Sequence, residues 1–252
     1  MIILRIFTLA SILACLAACA AHVDGLKVDE SFSYPAIIGN RMAIAGVVSV
    51  DGDLGPVLRN RYAGMLLREI RDERKKYPLI SSGEVEVKVG AEYTVALDDY
   101  RYINAMSAEN LQLFRGAGLP ARYFVFSRIE GTSIEQSRND EEITRTDDLG
   151  KVIEDYIEVT LTTTRSVTAV FNIFDLVTGA SVWSGEVTQR RSNTNDYRID
   201  KDERFEDALI SAVVNTLLFG DTGRDYPDPP GFDTVLKSVF YGFAENLPED
   251  ES

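Results

Sequence analysis

Between positions 157 and 173 the apolar side chains fall on odd numbers: Ile157, Val159, Leu161, Val167, Ala169, Phe171 and Ile173. The even positions are mostly Thr, Ser, Glu and Asn. A period of two sends successive side chains to opposite faces, so this run predicts a long strand buried on one face only. Such a strand must pair with neighbours. Asp175-Leu176-Val177-Thr178-Gly179 supplies a turn, and 180–189 (ASVWSGEVTQ) returns antiparallel.

The flanking sequence predicts helices as well as further strands. The run 41–50 (RMAIAGVVSV) is a compact, β-branched apolar segment, the pattern of a fully buried strand. Asp51-Gly52-Asp53 turns the chain, and Asp53 can cap a helix that tolerates Pro56 in its first turn. Val57, Leu58, Tyr62, Met65, Leu66 and Ile70 then recur at helical spacing, with a solvated charged tail over 68–76. Tyr77-Pro78-Leu79-Ile80-Ser81 reads as a second short strand. The segment 84–103 alternates in places (Val85, Val87, Val89, then Tyr93, Val95, Leu97), which predicts a β-hairpin turning near Gly90 and Ala91. Ser107 caps a helix carrying Leu111, Leu113 and Phe114, closed by Gly116 and Gly118, and 122–129 (RYFVFSRI) is another buried strand.

The stretch 130–155 is polar and acidic (Asp140-Glu141-Glu142, Asp147-Asp148) and reads as strand extension plus mobile loop. Phe205, Ala208, Leu209, Ala212, Val213, Thr216 and Leu217 outline an amphipathic helix, followed over 221–230 by a proline-rich linker. Asp233 then caps a last helix striped by Val235, Leu236, Val239, Phe240, Phe243 and Leu247, which packs on its own domain or docks on a second chain. The fold class expected is α/β: a mixed, mainly antiparallel sheet flanked by helices. It forms a single domain over 41–219, with a helical extension over 220–252.

The first residues point to export. Arg5 is the only charged residue before Cys19; an apolar stretch over 6–16 follows and ends in Ala17 and Ala18. That is the build of a secretory signal over 1–18, too short to span a bilayer, which takes about 20 residues. Leu16-Ala17-Ala18-Cys19 resembles the lipobox of bacterial lipoproteins. The resemblance implies diacylglyceryl transfer to the Cys19 sulfur, cleavage before it, and acylation of the new amino group. Two or more acyl chains anchor stably where one does not. With Ala20 and Ala21 next, and no Asp beside the lipidated cysteine, the analogy places the protein at the periplasmic face of the outer membrane. The polar stretch 19–40, without apolar period, reads as a linker.

Several function classes fall away. Cys15 leaves with the signal and Cys19 becomes a thioether, so the mature chain has no disulfide and no cysteine-ligated metal. His22 is the sole histidine and stands in the linker, which rules out a histidine-based triad or metal centre in the core. A formal net charge of −14 repels nucleic acid and anionic lipid surfaces, so no nucleic-acid partner is expected. The loop Gly116-Ala117-Gly118-Leu119-Pro120-Ala121 mimics a dinucleotide site, but it follows a helix and precedes a strand, the reverse of the required order. Asp51-Gly52-Asp53 and Asp200-Lys201-Asp202-Glu203 lack the spaced oxygens of a calcium loop. Trp183, on the return strand, is expected to pack against the sheet. No catalytic residue, metal site or cofactor is expected.

Four pieces together resemble one superfamily of envelope lipoproteins: Met42-Ala-Ile-Ala-Gly-Val-Val48 as its first strand, Tyr77-Pro-Leu-Ile-Ser81 after its first helix, Gly118 to Gly131 as a strand element, and the hairpin around Asp175, Thr178, Gly179 and Trp183. This is the domain shared by the curli secretion lipoprotein, the penicillin-binding-protein activator lipoproteins and the amino-terminal domain of the Tol propeller protein, matched over roughly 41–219. The resemblance implies a non-enzymatic protein acting by contact with another envelope protein, through the 84–103 hairpin or the strand ends around 130–155. A ring-forming outer-membrane secretion channel built from copies of the chain is the first alternative, and an envelope polymer hydrolase the second.

Overall fold

The structure, a computed structural model, describes residues 22–200 and 225–250. They form two compact units, the first holding 22–131, 167–189 and 236–250, the second 132–166, 190–200 and 225–235. The strands are β1 (Val23–Val28), β2 (Met42–Ser49), β3 (Leu79–Ile80), β4 (Tyr123–Thr146), β5 (Val152–Asp175) and β6 (Ser181–Asp200). The helices are α1 (Tyr34–Asn40), α2 (Gly55–Glu73), α3 (Ser82–Val89), α4 (Tyr93–Ile103), α5 (Ala108–Gly116) and α6 (Phe232–Glu245). One six-stranded sheet has the order β1-β6-β5-β4-β2-β3. β2 runs parallel to β3 and β4, β1 runs antiparallel to β6, and the tight turns at 147–151 and 175–180 make β4/β5 and β5/β6 antiparallel. This is the expected α/β fold with a mixed sheet flanked by helices.

In the first unit every residue of β2 is buried, as a strand covered on both faces requires. One face of the sheet meets α3, α4 and α5 in a cluster containing Ala43, Ala45, Val85, Tyr93, Leu97, Tyr100, Phe114, Phe124, Phe126 and Phe174. The parity of β5 separates the two faces. Asn172 turns to the α4 side, where its Nδ2 donates to Tyr100 Oη (2.9 Å). Phe171 turns the other way and stacks on Phe243 of α6 at 4.3 Å between centroids, while Phe243 also meets Trp183 edge-on at 4.8 Å. The last helix therefore packs on its own chain, and Trp183 is a packing residue, as expected.

The end of α6 is clamped. Arg74 donates to the carbonyls of Glu245 and Leu247 (2.5 and 2.8 Å), and Tyr77 donates to Pro248 O at 2.5 Å. A guanidinium on the last, otherwise orphaned carbonyls of a helix also faces the negative end of its dipole.

Three expectations need correction. The stretch read as a linker holds β1 and α1: its Val23 and Lys27 pair with Val187 and Ser184, and Gly25 at φ 61 marks the irregularity that hid the alternation. The predicted hairpin over 84–103 is two helices joined by a 3₁₀ turn (Gly90–Glu92). A capping box wins over the period-two valines, since Ser81 Oγ accepts from Glu84 N (3.3 Å) and the Glu84 carboxylate accepts from Ser81 N (3.4 Å). Of those valines only Val85 is fully buried, whereas Val87 is 80% exposed; Tyr93, Ala96, Leu97 and Tyr100 carry the helical stripe. Finally, most of the expected loop over 130–155 is strand, with only 147–151 left as a turn. The helix expected over 205–217 lies outside the described residues.

Two backbone positions show how tightly these elements meet. Arg41 alone joins α1 to β2 at φ 56, ψ 156, a conformation that is essentially glycine's and costs about 1–3 kcal/mol. At Gly46 the β2–β4 register shifts, and Tyr93 Oη donates to the carbonyl of Ala45 at 2.7 Å. A Cβ on Gly46 would stand 2.9 Å from both methyl carbons of Leu97, itself fully buried. Gly46→Ala is expected to destabilise the first unit by about 1–3 kcal/mol through overpacking, read as a lower denaturation midpoint at unchanged slope.

Candidate interaction surfaces

β4, β5 and β6 continue into the second unit as a three-stranded ribbon. Its register is set by short hydroxyl contacts: Thr160 Oγ1 donates to Asp196 (2.8 Å), and Thr164 meets Ser192 at 2.7 Å, each pair four residues on from the last. Thr168 and Thr188 keep the same spacing in the first unit (2.8 Å). The even-numbered threonines of the alternating run thus form a cross-strand ladder. The odd side chains Val159, Leu161 and Thr163 are buried, as the alternation predicts. Between β4 and β5, Thr144 donates to Asp155 (2.8 Å) and Arg145 pairs with Glu154 at 3.2 Å. The turn is pinned by Asp147, whose carboxylate accepts from Leu149 N and Lys151 N, with Gly150 at φ 78. Leu149 there is 93% exposed.

The proline-rich segment crosses one face of this ribbon. Asn193 and Asn195 donate to the carbonyls of Asp228 and Asp225, and Arg165 Nε donates to Pro230 O at 2.7 Å. Arg165, which interrupts the apolar run, is therefore a staple. The outer edges lie differently. β2 pairs with β4 only as far as Ile129, and β1 with β6 only from Trp183 to Val187. Over 132–141 of β4, no described strand lies on the outer side. A strand edge of this kind presents a row of backbone donors and acceptors to an incoming strand, and its charged side chains (Glu135, Arg138, Asp140, Glu141) are those that keep an edge from promiscuous pairing.

Of the residues singled out from sequence, Cys19 lies outside the described residues. His22 sits at the start of β1, its Nε2 2.9 Å from Asp24 Oδ1 and both side chains well exposed. Asp53 accepts from Gly55 N and pairs with Arg59 at 2.8 Å, but the helix N-cap is Leu54, one residue later than expected, and no side chain caps it. Cys19 and Val23 are four positions apart, a reach of at most about 14 Å, far shorter than a linker over 19–40 would give.

The hairpin turn at 175–180 holds a pair that sequence reading missed. Asp175, 1% exposed at its side chain, takes a bidentate bond from Arg122 (2.9 and 2.7 Å) and accepts from Val177 N at 2.8 Å. Burial pushes its carboxyl up, but the Arg122 guanidinium and the Val177 amide outweigh this and hold it below its ordinary value. Arg115 donates to Leu176 O and to Val177 O (2.8 Å for the latter). The only trace of this in the sequence is the acid at the first turn position and the arginine that opens β4.

Comparison with known proteins adds little. No family model matches the chain, and no curated protein matches its sequence. Among solved structures, the PelC dodecamer from Paraburkholderia phytofirmans aligns at 14% identity with a TM-score of 0.37, covering 91% of this chain and 99% of that one. Lipoprotein GNA1162 from Neisseria meningitidis aligns at 12% identity with a TM-score of 0.29, covering 70% and 95%. Superpositions this loose constrain neither the fold nor the task of this chain.

Arg122→Ala is expected to cost about 2–4 kcal/mol, because it strands a buried carboxylate. The depressed carboxyl also fixes a pH dependence. Its stabilisation is complete above the ordinary carboxylate value, near pH 4, and drains away as the pH falls through the lower folded value. Acid unfolding curves of the parent and of Asp175→Asn should therefore converge below pH 4.

Proposed function

We propose that this chain is a lipid-anchored envelope protein, held at the periplasmic face of the outer membrane through Cys19, and that it acts by strand-edge contact with another envelope protein rather than by catalysis. The observation that carries this reading is the β4 edge over 132–141, a long backbone edge whose side chains are charged or polar apart from the exposed Ile134. Partners that add a strand to such an edge gain affinity from main-chain hydrogen bonds and specificity from alternate side chains. The lipobox and the short tether to Val23 support the anchoring.

A membrane-crossing ribbon, the channel alternative, fits poorly. Side chains alternate between faces, and both parities are charged: Arg138, Asp140, Glu142, Arg190 and Arg198 on even numbers, Glu135, Glu141, Arg145 and Arg191 on odd. Whichever face met lipid would carry several charges, and a single Arg near the bilayer midplane costs about 2–4 kcal/mol. The ribbon belongs in water.

A photo-crosslinking residue at Gln136 or Asn139, in cells, tests the contact. One defined heterologous adduct at these sites, and none from a control at exposed Val57, is the expected result. Adducts consisting only of a second copy would replace the adaptor with self-assembly, and adducts only at Val57 would overturn the edge reading. Cys19→Ser is expected to move the protein from the membrane to the soluble fraction and to abolish the acyl mass on the amino-terminal peptide.

A further inference from the structure

Arg41, Arg115 and Arg122 line one open cleft of about 560 Å³, together with Asn40, Leu176 and Val177. In a chain of net charge −14 this is an unusual meeting of three guanidinium groups, with Asp175 the one carboxylate bonded to any of them among the described residues. Two of the three have structural employment. Arg122 grips Asp175 through Nε and Nη2, and Arg115 holds the carbonyls of Leu176 and Val177. Their heads are thereby fixed in orientation, and each keeps further N–H donors, since a guanidinium has five.

Arg41 has no such employment. Its side chain is exposed and makes no hydrogen bond or ion pair among the described residues. Its backbone conformation is fully explained: Arg41 N donates to Ile37 O (3.0 Å) to close α1, while Tyr123 N donates to Arg41 O (3.4 Å) to open the β2–β4 ladder. One residue must be both helix end and strand start, which forces φ to 56. That demand explains the conformation but not the residue. Glycine would adopt it without strain, so an arginine here is justified only by what its side chain does.

We infer that the cleft binds a phosphate group and that Arg41 is the residue that closes on it. Arg115 and Arg122 offer donors whose directions are already set, and Arg41 brings an uncommitted fork from the strained turn. Convergent charge-assisted bonds of this kind suit a tetrahedral oxyanion with several acceptor oxygens. The phosphate could be free or carried on a lipid headgroup.

The strain makes the inference testable in two directions at once. With the full mature chain in non-ionic detergent, inorganic phosphate is titrated by calorimetry at constant ionic strength with chloride as the balancing anion. Arg41→Gly is expected to raise the unfolding midpoint by about 2–6 °C, because it removes strain, and to weaken phosphate binding at least tenfold. Arg41→Lys, which keeps the charge but not the fork, is expected to bind at an intermediate level. Flotation of the Cys19→Ser chain, which has no acyl anchor, with phosphatidylglycerol or phosphatidylcholine vesicles separates the sources: Arg41-dependent retention on vesicles assigns a headgroup, and titration by inorganic phosphate without retention assigns the free ion. Loss of neither on Arg41→Gly, or a variant less stable than the parent, overturns the inference.

Discussion

Burial of β2 on both faces is the constraint from which the rest of the first unit follows. A strand with no exposed residue cannot sit at the surface of a two-layer fold, so both sides of the sheet must carry helices. Its parallel pairing with β3 and β4 requires crossover connections, and α2 on one side and α3 to α5 on the other supply them. Close approach does the remaining work. Gly46 admits Leu97 and the Tyr93 hydroxyl, and Arg41 accepts a strained backbone so that helix and strand can meet with no residue between them.

The second unit rests on different physics. Its strands are held in register by threonine hydroxyl bonds spaced four residues apart, a cross-strand ion pair, and asparagine and arginine side chains that fasten the proline-rich segment to the sheet. The ribbon built this way buries Val159, Leu161 and Thr163 on one face and carries charged side chains along its 132–141 edge. The proposed role as an anchored, non-catalytic partner-binding protein rests on that charged edge.

The legible and illegible parts of this fold divide by how locally each signal is written. The alternation over 157–173 and the turn at Asp175 to Gly179 gave β5, the hairpin and the start of β6, because period and turn chemistry are properties of neighbouring residues. The stripe on α6 was equally plain. The segment 84–103 misled, because Val85, Val87 and Val89 carry a strand's period while the decisive helix signal is one capping box and a stripe beginning at Tyr93. β1 was missed because Gly25 breaks its alternation, and an edge strand needs a partner to exist at all.

What the sequence determined by itself was therefore the α/β class and the long half-buried strand, with the sole histidine, His22, just ahead of β1. Those are matters of composition and short-range pattern. Only the tertiary structure decided that Asp175 faces Arg122 across 53 positions of chain, that Arg41 stands beside them in a strained turn, and that 132–141 keeps an open edge. These depend on where distant segments cross, and the length at which β2 stops pairing with β4 is written in neither strand alone.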